Sequence, residues 1–454
     1  MKYIIDDKYM LRGWKNLPYV LINADNNQYR ELNSLEFQTL SFCNGDTQDI
    51  FVLEAHEKLA KEFLKLKIIK YSNGINIKDH QKYFFYDCEK INQVHWSITR
   101  NCNYNCRHCY VCASEKKYKD TSTKECIEIV KQISECGITN ISLTGGEAFV
   151  RPDFWQIVDS ITENKIKISR IYTNGFLVNK NLIDNLKLRN IKPEFSISFD
   201  GIGAHDWLRG IKGAEKIAIN AFKLLNQNGY RTFSEMCLYK DNIKNISETV
   251  NLLTNLGVSG LKINIATMVG SWVKNYKNHN INIREAYNAF LEYIPEFFRL
   301  NSPLNLQMAG FFVCFKNSKE FSIPAVKPIE NQKLNNLSIC EHARQILYLS
   351  SSGQVLPCVS LDFCETKMKK TFINKKNSLK KILNNSHYLD LKNLKISEIF
   401  KKNKKCATCK YVLLCGGGCR ANASIAGNSF FGNDPQMCVF FKENYFEKIK
   451  ACLE

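Results

Sequence analysis

Val94-His95-Trp96-Ser97-Ile98-Thr99, followed at once by Cys102-Asn103-Tyr104-Asn105-Cys106-Arg107-His108-Cys109, is a strand signal running into three closely spaced thiols. The first six residues are rich in β-branched and aromatic side chains, which suit a pleated strand. The cysteines come at C-x3-C-x2-C spacing on a loop. Three thiolates can hold three irons of a 4Fe-4S cluster and leave the fourth without a cysteine ligand, open to a small molecule. A structural zinc site wants four ligands, and Cys112 or His108 could supply the last, so the triplet alone leaves zinc open.

Working outward, strand signals recur at 94–99, 141–144, 168–173, 195–199, 232–238 and 261–265, with helical stretches between them. Six such units predict an α/β fold built as a partial (β/α)6 TIM barrel, in which the loops after the strands' C-terminal ends face one mouth. The cysteine loop lies there. So does Leu143-Thr144-Gly145-Gly146-Glu147, whose paired glycines would let a ligand's polar groups approach the backbone, beside a carboxylate suited to an ammonium. By itself a Gly-Gly-Glu run is an ordinary turn.

Ahead of the barrel, apolar runs within 19–32 flank Asp25-Asn26-Asn27 and predict a hairpin, and Asn33-Ser34-Leu35-Glu36 has capping-box spacing for a helix running to about Phe42. A second helix is expected at 56–66. Ile68-Ile69 and 75–77 around Ser72-Asn73-Gly74 predict a small wing. The expected organisation is therefore an N-terminal winged-helix-like domain at 1–85, the barrel at 86–300, a Pro- and Asn-rich bridging segment at 301–339 containing Pro303, Pro324 and Pro328, and a cysteine-dense domain at 340–454.

With 454 residues the chain has room for two or three domains, and its 44% hydrophobic content is that of a globular protein. The start of the chain does not read as a secretion signal, and no apolar run of membrane-spanning length occurs, so a cytoplasmic location without membrane attachment is expected. Nineteen cysteines in such a chain point to metal or redox work rather than disulfides. The net charge of +19 is spread over Lys-Asn stretches without interleaved aromatics, which argues for a solvated surface and against nucleic acid. Cys43, Cys126, Cys136 and Cys237 lie in apolar stretches and are expected as buried small residues.

The C-terminal cysteines fall as Cys340-x12-Gly353-x4-Cys358, then Cys406-x2-Cys409-x5-Cys415-x3-Cys419, then x18 to Cys438. Seven thiols at such intervals exceed the needs of one zinc site.

Together, the cysteine triplet and the Gly-Gly-Glu element resemble the radical S-adenosylmethionine (SAM) superfamily over about 94–265. The resemblance implies that Cys102, Cys106 and Cys109 ligate the SAM-binding cluster and that Gly145, Gly146 and Glu147 hold the methionine amine. It places His108 where the family often has an aromatic group near the adenine, although a surface histidine is the plain alternative. Asn174 and Ser198 match positions near the ribose, and Arg209 matches one that pairs with the SAM carboxylate. The seven later thiols are similar to the SPASM domain, which implies two auxiliary 4Fe-4S clusters, three clusters in all: Cys406, Cys409, Cys415 and Cys438 on the outer, Cys340, Cys358 and Cys419 on the inner. The inner one then lacks a fourth ligand unless Cys314, Cys364 or Cys452 supplies it.

Residues 1–85 resemble the PqqD-like element that binds leader peptides, which implies a precursor peptide as partner, its leader added as a strand to the sheet edge. A winged-helix DNA-binding module would need a basic recognition helix, and the helix containing Glu36 is not basic. The implied activity is that of a radical SAM peptide maturase supplied with electrons by a reductant such as flavodoxin or ferredoxin. A thioether cross-link from a cysteine sulfur to carbon is the expectation, because an open inner iron could bind a substrate thiolate. The alternatives are a carbon-carbon cross-link, peptide epimerisation, sulfatase maturation and a non-catalytic electron carrier. Sulfatase-maturing enzymes carry an aspartate directly after the second SPASM cysteine, where this chain has Val359.

Overall fold

A computed structural model describes residues 2–26, 28–45, 53–74, 76–115, 119–315, 320–327, 329–330, 336–364, 369–427 and 429–453. Two compact units result: Met1–Asn92 with Lys131–Thr139 and Lys375–Ser386, and Gln93–Val130 with Asn140–Asn374 and His387–Glu454.

The first unit contains β1 (Tyr3–Ile5), β2 (Tyr9–Trp14), β3 (Leu17–Asn23), β4 (Tyr29–Glu31), β5 (Ile69–Tyr71) and β6 (Phe84–Tyr86), with helices Ser34–Phe42 and Glu54–Lys65. The expected hairpin forms, with Val20 opposite Glu31 and Ile22 opposite Tyr29. Asn27 of its turn lies outside the described residues. The capping box also forms: the Asn33 side chain accepts from the Glu36 backbone N–H at 2.9 Å, and the Glu36 carboxylate accepts from that of Asn33 at 2.9 Å. This satisfies two of the helix's orphan donors and fixes its start.

The wing is corrected. β5 pairs antiparallel with β1, Lys70 opposite Ile4, rather than with the run at 75–77, of which Ile75 lies outside the described residues. Burial decides this pairing, because Ile5 and Ile69 close the core formed by Leu11, Leu21, Leu40 and Phe63. Each large apolar side chain buried there contributes about 1.5–3 kcal/mol. The unexpected β2 lies inside a four-stranded sheet ordered β4-β3-β2-β6, which leaves β4 as an edge strand.

The second unit is built on an eleven-stranded sheet. All six barrel strands form within a residue or so of expectation: β7 (Gln93–Ser97), β8 (Asn140–Thr144), β9 (Lys167–Thr173), β10 (Glu194–Ser198), β11 (Thr232–Leu238) and β12 (Gly260–Ile265), each parallel to the next. The stretch 301–339, read from sequence as bridging, contains β13 (Asn305–Met308), β14 (Phe312–Cys314) and β15 (Phe321–Ser322) among its described residues. β13 is a seventh parallel strand beside β12. β16 (Ile346–Leu349) adds an eighth, parallel to β7, and β17 (Val355–Leu356) pairs antiparallel with it. Pro328 lies outside the described residues.

Residues on these strands alternate between two environments. Trp96, Ile141, Leu143, Ile171, Phe195, Ile197 and Met236 are buried, as are Ile157 and Phe222 on the intervening helices. The opposite face is polar. Tyr348, His95, Ser142, Arg170 and Glu194 stand side by side across five strands, and Glu235 lies beside Lys262 on β11 and β12. His95 Nδ1 lies 2.8 Å from Ser142 Oγ, and Arg170 pairs with Glu194. Fully packed parallel strands read as continuous apolar runs, so this alternation marks an inner face that is not packed core.

Candidate active site

The cysteine loop follows β7, and the Gly-Gly-Glu turn after β8 is bonded directly to it. Gly146 N donates to Thr99 O at 2.8 Å and Glu147 N to Asn101 O at 2.9 Å. A Cβ on Gly145 would stand 2.5 Å from Thr99 O, and one on Gly146 would stand 2.4 Å from Asn101 O and 2.6 Å from Arg100 O. The glycine pair thus lets the chain's own cysteine loop approach, a demand for glycine that arises within the fold itself.

Cys102, Cys106 and Cys109 lie within electrostatic reach of one another, and burial pushes the Cys102 thiol up to about 12, the Cys109 thiol up to about 11, and the Cys106 thiol upward. Such thiols stay protonated until cationic metal displaces the protons, so loading depends on pH. Cys112 lies close to Cys109, and its sulfur accepts from Ser271 Oγ at 3.8 Å. Among the described residues no three of His, Cys, Asp and Glu stand close enough to hold a single metal ion.

Glu147 is fully buried and is the hub of the next layer. Its carboxylate accepts from Asn174 N at 2.8 Å, from Phe149 N at 3.2 Å and from Thr173 Oγ1. The Asn174 amide donates to Asn103 Oδ1 at 2.8 Å and points at Cys102 Sγ, 3.9 Å away. Burial raises the Glu147 carboxyl to about 7 against these three stabilising donors.

This raised value makes a stability prediction. The folded state binds the proton more tightly than the unfolded chain, so stability falls as pH rises from the unfolded value near 4.5 through about 7. The full span is worth about 3 kcal/mol. Glu147→Gln is expected to flatten that part of the pH dependence of thermal unfolding in cluster-free protein. An unchanged slope would place the titration elsewhere.

A second buried network lies after β10. Asp200 is 0% exposed, and its carboxylate takes a bidentate grip from Arg209, Nε at 2.6 Å and Nη2 at 3.1 Å. His205 Nδ1 lies 3.0 Å away, and Cys237 N donates at 2.8 Å. The remaining Arg209 nitrogen, Nη1, reaches Cys106 Sγ at 4.0 Å. The sequence pattern did not single out Asp200, although it stands two residues after Ser198. Two of its partners, His205 and Arg209, share the short helix His205–Arg209 just after it and the third, Cys237 N, comes from β11, and only a carboxylate close to an arginine could have hinted at it. Cys237, expected as a simple buried residue, is partly buried and stands next to last on β11, where its backbone joins this network. His108 is half-buried near Arg209 and Asp200, its imidazole held neutral by burial with a value of about 4. Ser198 occupies the last position of β10, opposite Glu235.

The buried Tyr104 hydroxyl and His108 Nδ1 have no hydrogen-bond partner among the described residues. Orphaned buried polar atoms beside three converging thiols fit a site filled by a metal cluster and a polar ligand.

The C-terminal thiols form two sets. Cys406, Cys409, Cys415 and Cys438 line one pocket of about 200 Å³, with Tyr411, Asn433 and Asp434. Cys340, Cys358 and Cys419 form a chain of electrostatic neighbours, with Lys262 of β12 near Cys358. Asp434 lies between the sets: it accepts from Cys419 N at 2.8 Å and is close to Cys415. Gly416, Gly417 and Gly418 link Cys415 to Cys419 at φ of 60°, 87° and 73°, a left-handed run that only glycine adopts without strain. Cys314 Sγ donates to Phe315 O at 3.7 Å and Cys452 Sγ to Leu291 O at 3.9 Å. The Cys364 side chain lies outside the described residues.

Residues 96–253 match the radical SAM superfamily. The chain carries a radical SAM domain. Residues 340–410 of this radical SAM protein match SPASM, an iron-sulfur cluster-binding domain. An AdoMet-dependent heme synthase of Oleidesulfovibrio alaskensis is 25% identical over 355 residues, 76% of this chain and 87% of its own. The antilisterial bacteriocin subtilosin biosynthesis protein AlbA of Bacillus subtilis is 27% identical over 205 residues, 44% of each protein. Among solved structures, Streptococcus suis SuiB bound to its precursor peptide SuiA has the same fold, with a TM-score of 0.65 at 19% identity, covering 96% of this chain and 99% of SuiB. No helix among the described residues is long and apolar enough to cross a membrane.

Proposed function

We propose that this radical SAM/SPASM enzyme installs thioether cross-links, cysteine sulfur to carbon, in a ribosomally made precursor peptide. The observation that carries this reading is the inner thiol set, in which Cys358 neighbours both Cys340 and Cys419, while the Cys314 and Cys452 thiols donate to backbone carbonyls. Three ligands would leave an iron open to a substrate thiolate. Two relatives support a peptide substrate: AlbA is a bacteriocin biosynthesis protein, and the likeness to peptide-bound SuiB extends over 96% of this chain.

When bound, SAM and its cluster would supply one-electron reductive cleavage and hence hydrogen abstraction from carbon. The chain's part is to hold the reactants. In this reading Cys102, Cys106 and Cys109 carry the first cluster, Glu147 meets the SAM amine, Arg209 its carboxylate, Asn174 and Ser198 its ribose, and His108 its adenine. Glu147 accepts an ammonium best once ionised, and its three hydrogen-bond donors orient it for that contact. Cys406, Cys409, Cys415 and Cys438 would hold the outer cluster, and a flavodoxin or ferredoxin would deliver the electron.

The test is mass spectrometry of a cysteine-containing precursor incubated anaerobically with reconstituted enzyme, SAM and reductant. A loss of about two mass units per cross-link is expected, from the removal of two hydrogens. The loss should vanish with Cys102→Ala and with a precursor whose cysteines are replaced. A cross-link that survives cysteine replacement would make the product carbon-carbon, and an unchanged mass with 5′-deoxyadenosine release would point to epimerisation.

The leader is proposed to add as a strand along β4 in a PqqD-like manner. Leu32 N donates to Tyr19 O, so by alternation the Glu31 N–H faces the open edge. Glu31→Pro removes that donor without breaking the hairpin ladder. Peptide affinity is expected to fall about tenfold while SAM cleavage is unchanged. Equal affinity would exclude strand addition at this edge.

A further inference from the structure

Arg100 stands two residues before Cys102, and Asp362 stands four residues after Cys358. Their side chains meet in the interior: Arg100 Nη2 donates to Asp362 Oδ1 at 2.6 Å, with the two side chains 7% and 1% exposed. Tyr348 of β16 donates its hydroxyl to the other oxygen, Oδ2, at 2.6 Å. Two more contacts join the same segments. The Tyr110 hydroxyl donates to Val359 O at 3.3 Å, and the Tyr110 ring lies edge-on to Phe363 with centroids 6.0 Å apart. Arg100 Nη1 also donates to Val111 O at 3.3 Å, tying the two ends of the cysteine loop together.

Stability alone does not account for this arrangement, because a buried ion pair is often no more stabilising than apolar residues of the same size. What a buried, charge-assisted hydrogen bond with both carboxylate oxygens engaged does supply is fixed geometry. The segments it fixes are the loop of Cys102, Cys106 and Cys109 and the loop of Cys358. The pairing of β16 with β7 sets the same relation from below, with Tyr348 opposite His95.

We propose that Arg100, Asp362 and Tyr348 form a positioning element that sets the distance and orientation between the radical-generating site and the inner auxiliary site. Arg100 and Asp362 act through the backbones of the two cysteine loops, and Tyr348 acts through the Asp362 carboxylate. The inference rests on the reading of both thiol sets as cluster sites and deepens the proposed function, since bond formation requires the radical carbon and the held sulfur at bonding range.

Asp362→Asn keeps the shape and removes the charge pairing. In the reconstituted full-length enzyme, SAM cleavage without peptide is expected to stay within about threefold of wild type, whereas modified peptide falls about a hundredfold, the usual loss for a displacement near 1 Å. The ratio of 5′-deoxyadenosine to modified peptide rises accordingly. Electron paramagnetic resonance of the fully reduced enzyme supplies a readout independent of turnover, because magnetic coupling between the first and inner clusters depends on their separation and should change. If the asparagine variant does not load iron, Tyr348→Phe retains the ion pair and should raise the same ratio about threefold. An unchanged ratio and unchanged coupling in a loaded variant would overturn the proposal, as would a lower melting temperature with both unchanged. If wild-type enzyme modifies no peptide, the functional reading fails, and the magnetic coupling alone then decides this one.

Discussion

Gly146→Ala is expected to abolish 5′-deoxyadenosine formation and to prevent iron uptake at the first site. The added Cβ would lie 2.4 Å from Asn101 O, 2.6 Å from Arg100 O and 2.8 Å from Asn101 C. All three are backbone atoms, so no side chain can rotate away, and the cysteine loop itself must move. The displaced segment carries the hydrogen bonds Gly146 N to Thr99 O and Glu147 N to Asn101 O, and it leads directly to Cys102. Overpacking of this kind costs about 1–3 kcal/mol in stability. The larger effect is geometric, since three thiols must converge on one cluster. Iron and sulfide content after anaerobic reconstitution, together with chromatography of SAM products, measures it. Gly427→Ala is the control, because nothing lies within 4 Å of its added Cβ. A Gly146→Ala enzyme with full iron content and cleavage within threefold of wild type would mean that the two loops are not coupled.

Features carried by local periodicity were legible in the sequence. The six strands β7 to β12 announce themselves through β-branched and aromatic runs, and the Asn33 capping box through its spacing, and each forms as read. Features whose partners are distant in the chain were not. β16 is four residues whose partner, β7, lies some 250 positions upstream, and no local pattern names that partner. β13 reads Asn-Leu-Gln-Met inside an Asn- and Pro-rich stretch, so its alternation is drowned by its surroundings. The wing failed for the same reason: Ile69 found β1 rather than its neighbours because core closure outweighs loop proximity. At the site, the thiols and the Gly-Gly-Glu turn were legible from spacing. Asp200 was not, because only its burial gives the carboxylate its role, and Asp362 and Cys237 were not, because their partners lie in distant segments.

Asp200→Ala carries the second large effect, and its logic differs from that of the glycine. Burial alone would raise the Asp200 carboxyl, yet the Arg209 guanidinium and His205 override it and hold the group far below the usual carboxylate range. The charge is therefore present at every pH at which the enzyme works, and it is the partner that allows Arg209 to remain buried. Removing it strands a guanidinium in the interior, an effect of about 3–5 kcal/mol. In a unit of this size that lowers the melting temperature by roughly 4–7 °C. SAM affinity should fall as well, because Arg209 loses the bidentate grip that aims Nη1 past Cys106. The double variant Asp200→Ala with Arg209→Met separates the two consequences. It removes the stranded charge, so it should unfold at a higher temperature than Asp200→Ala alone while binding SAM no better. If the double variant is the less stable of the two, the network stabilises the fold through packing, and the electrostatic account of Asp200 fails.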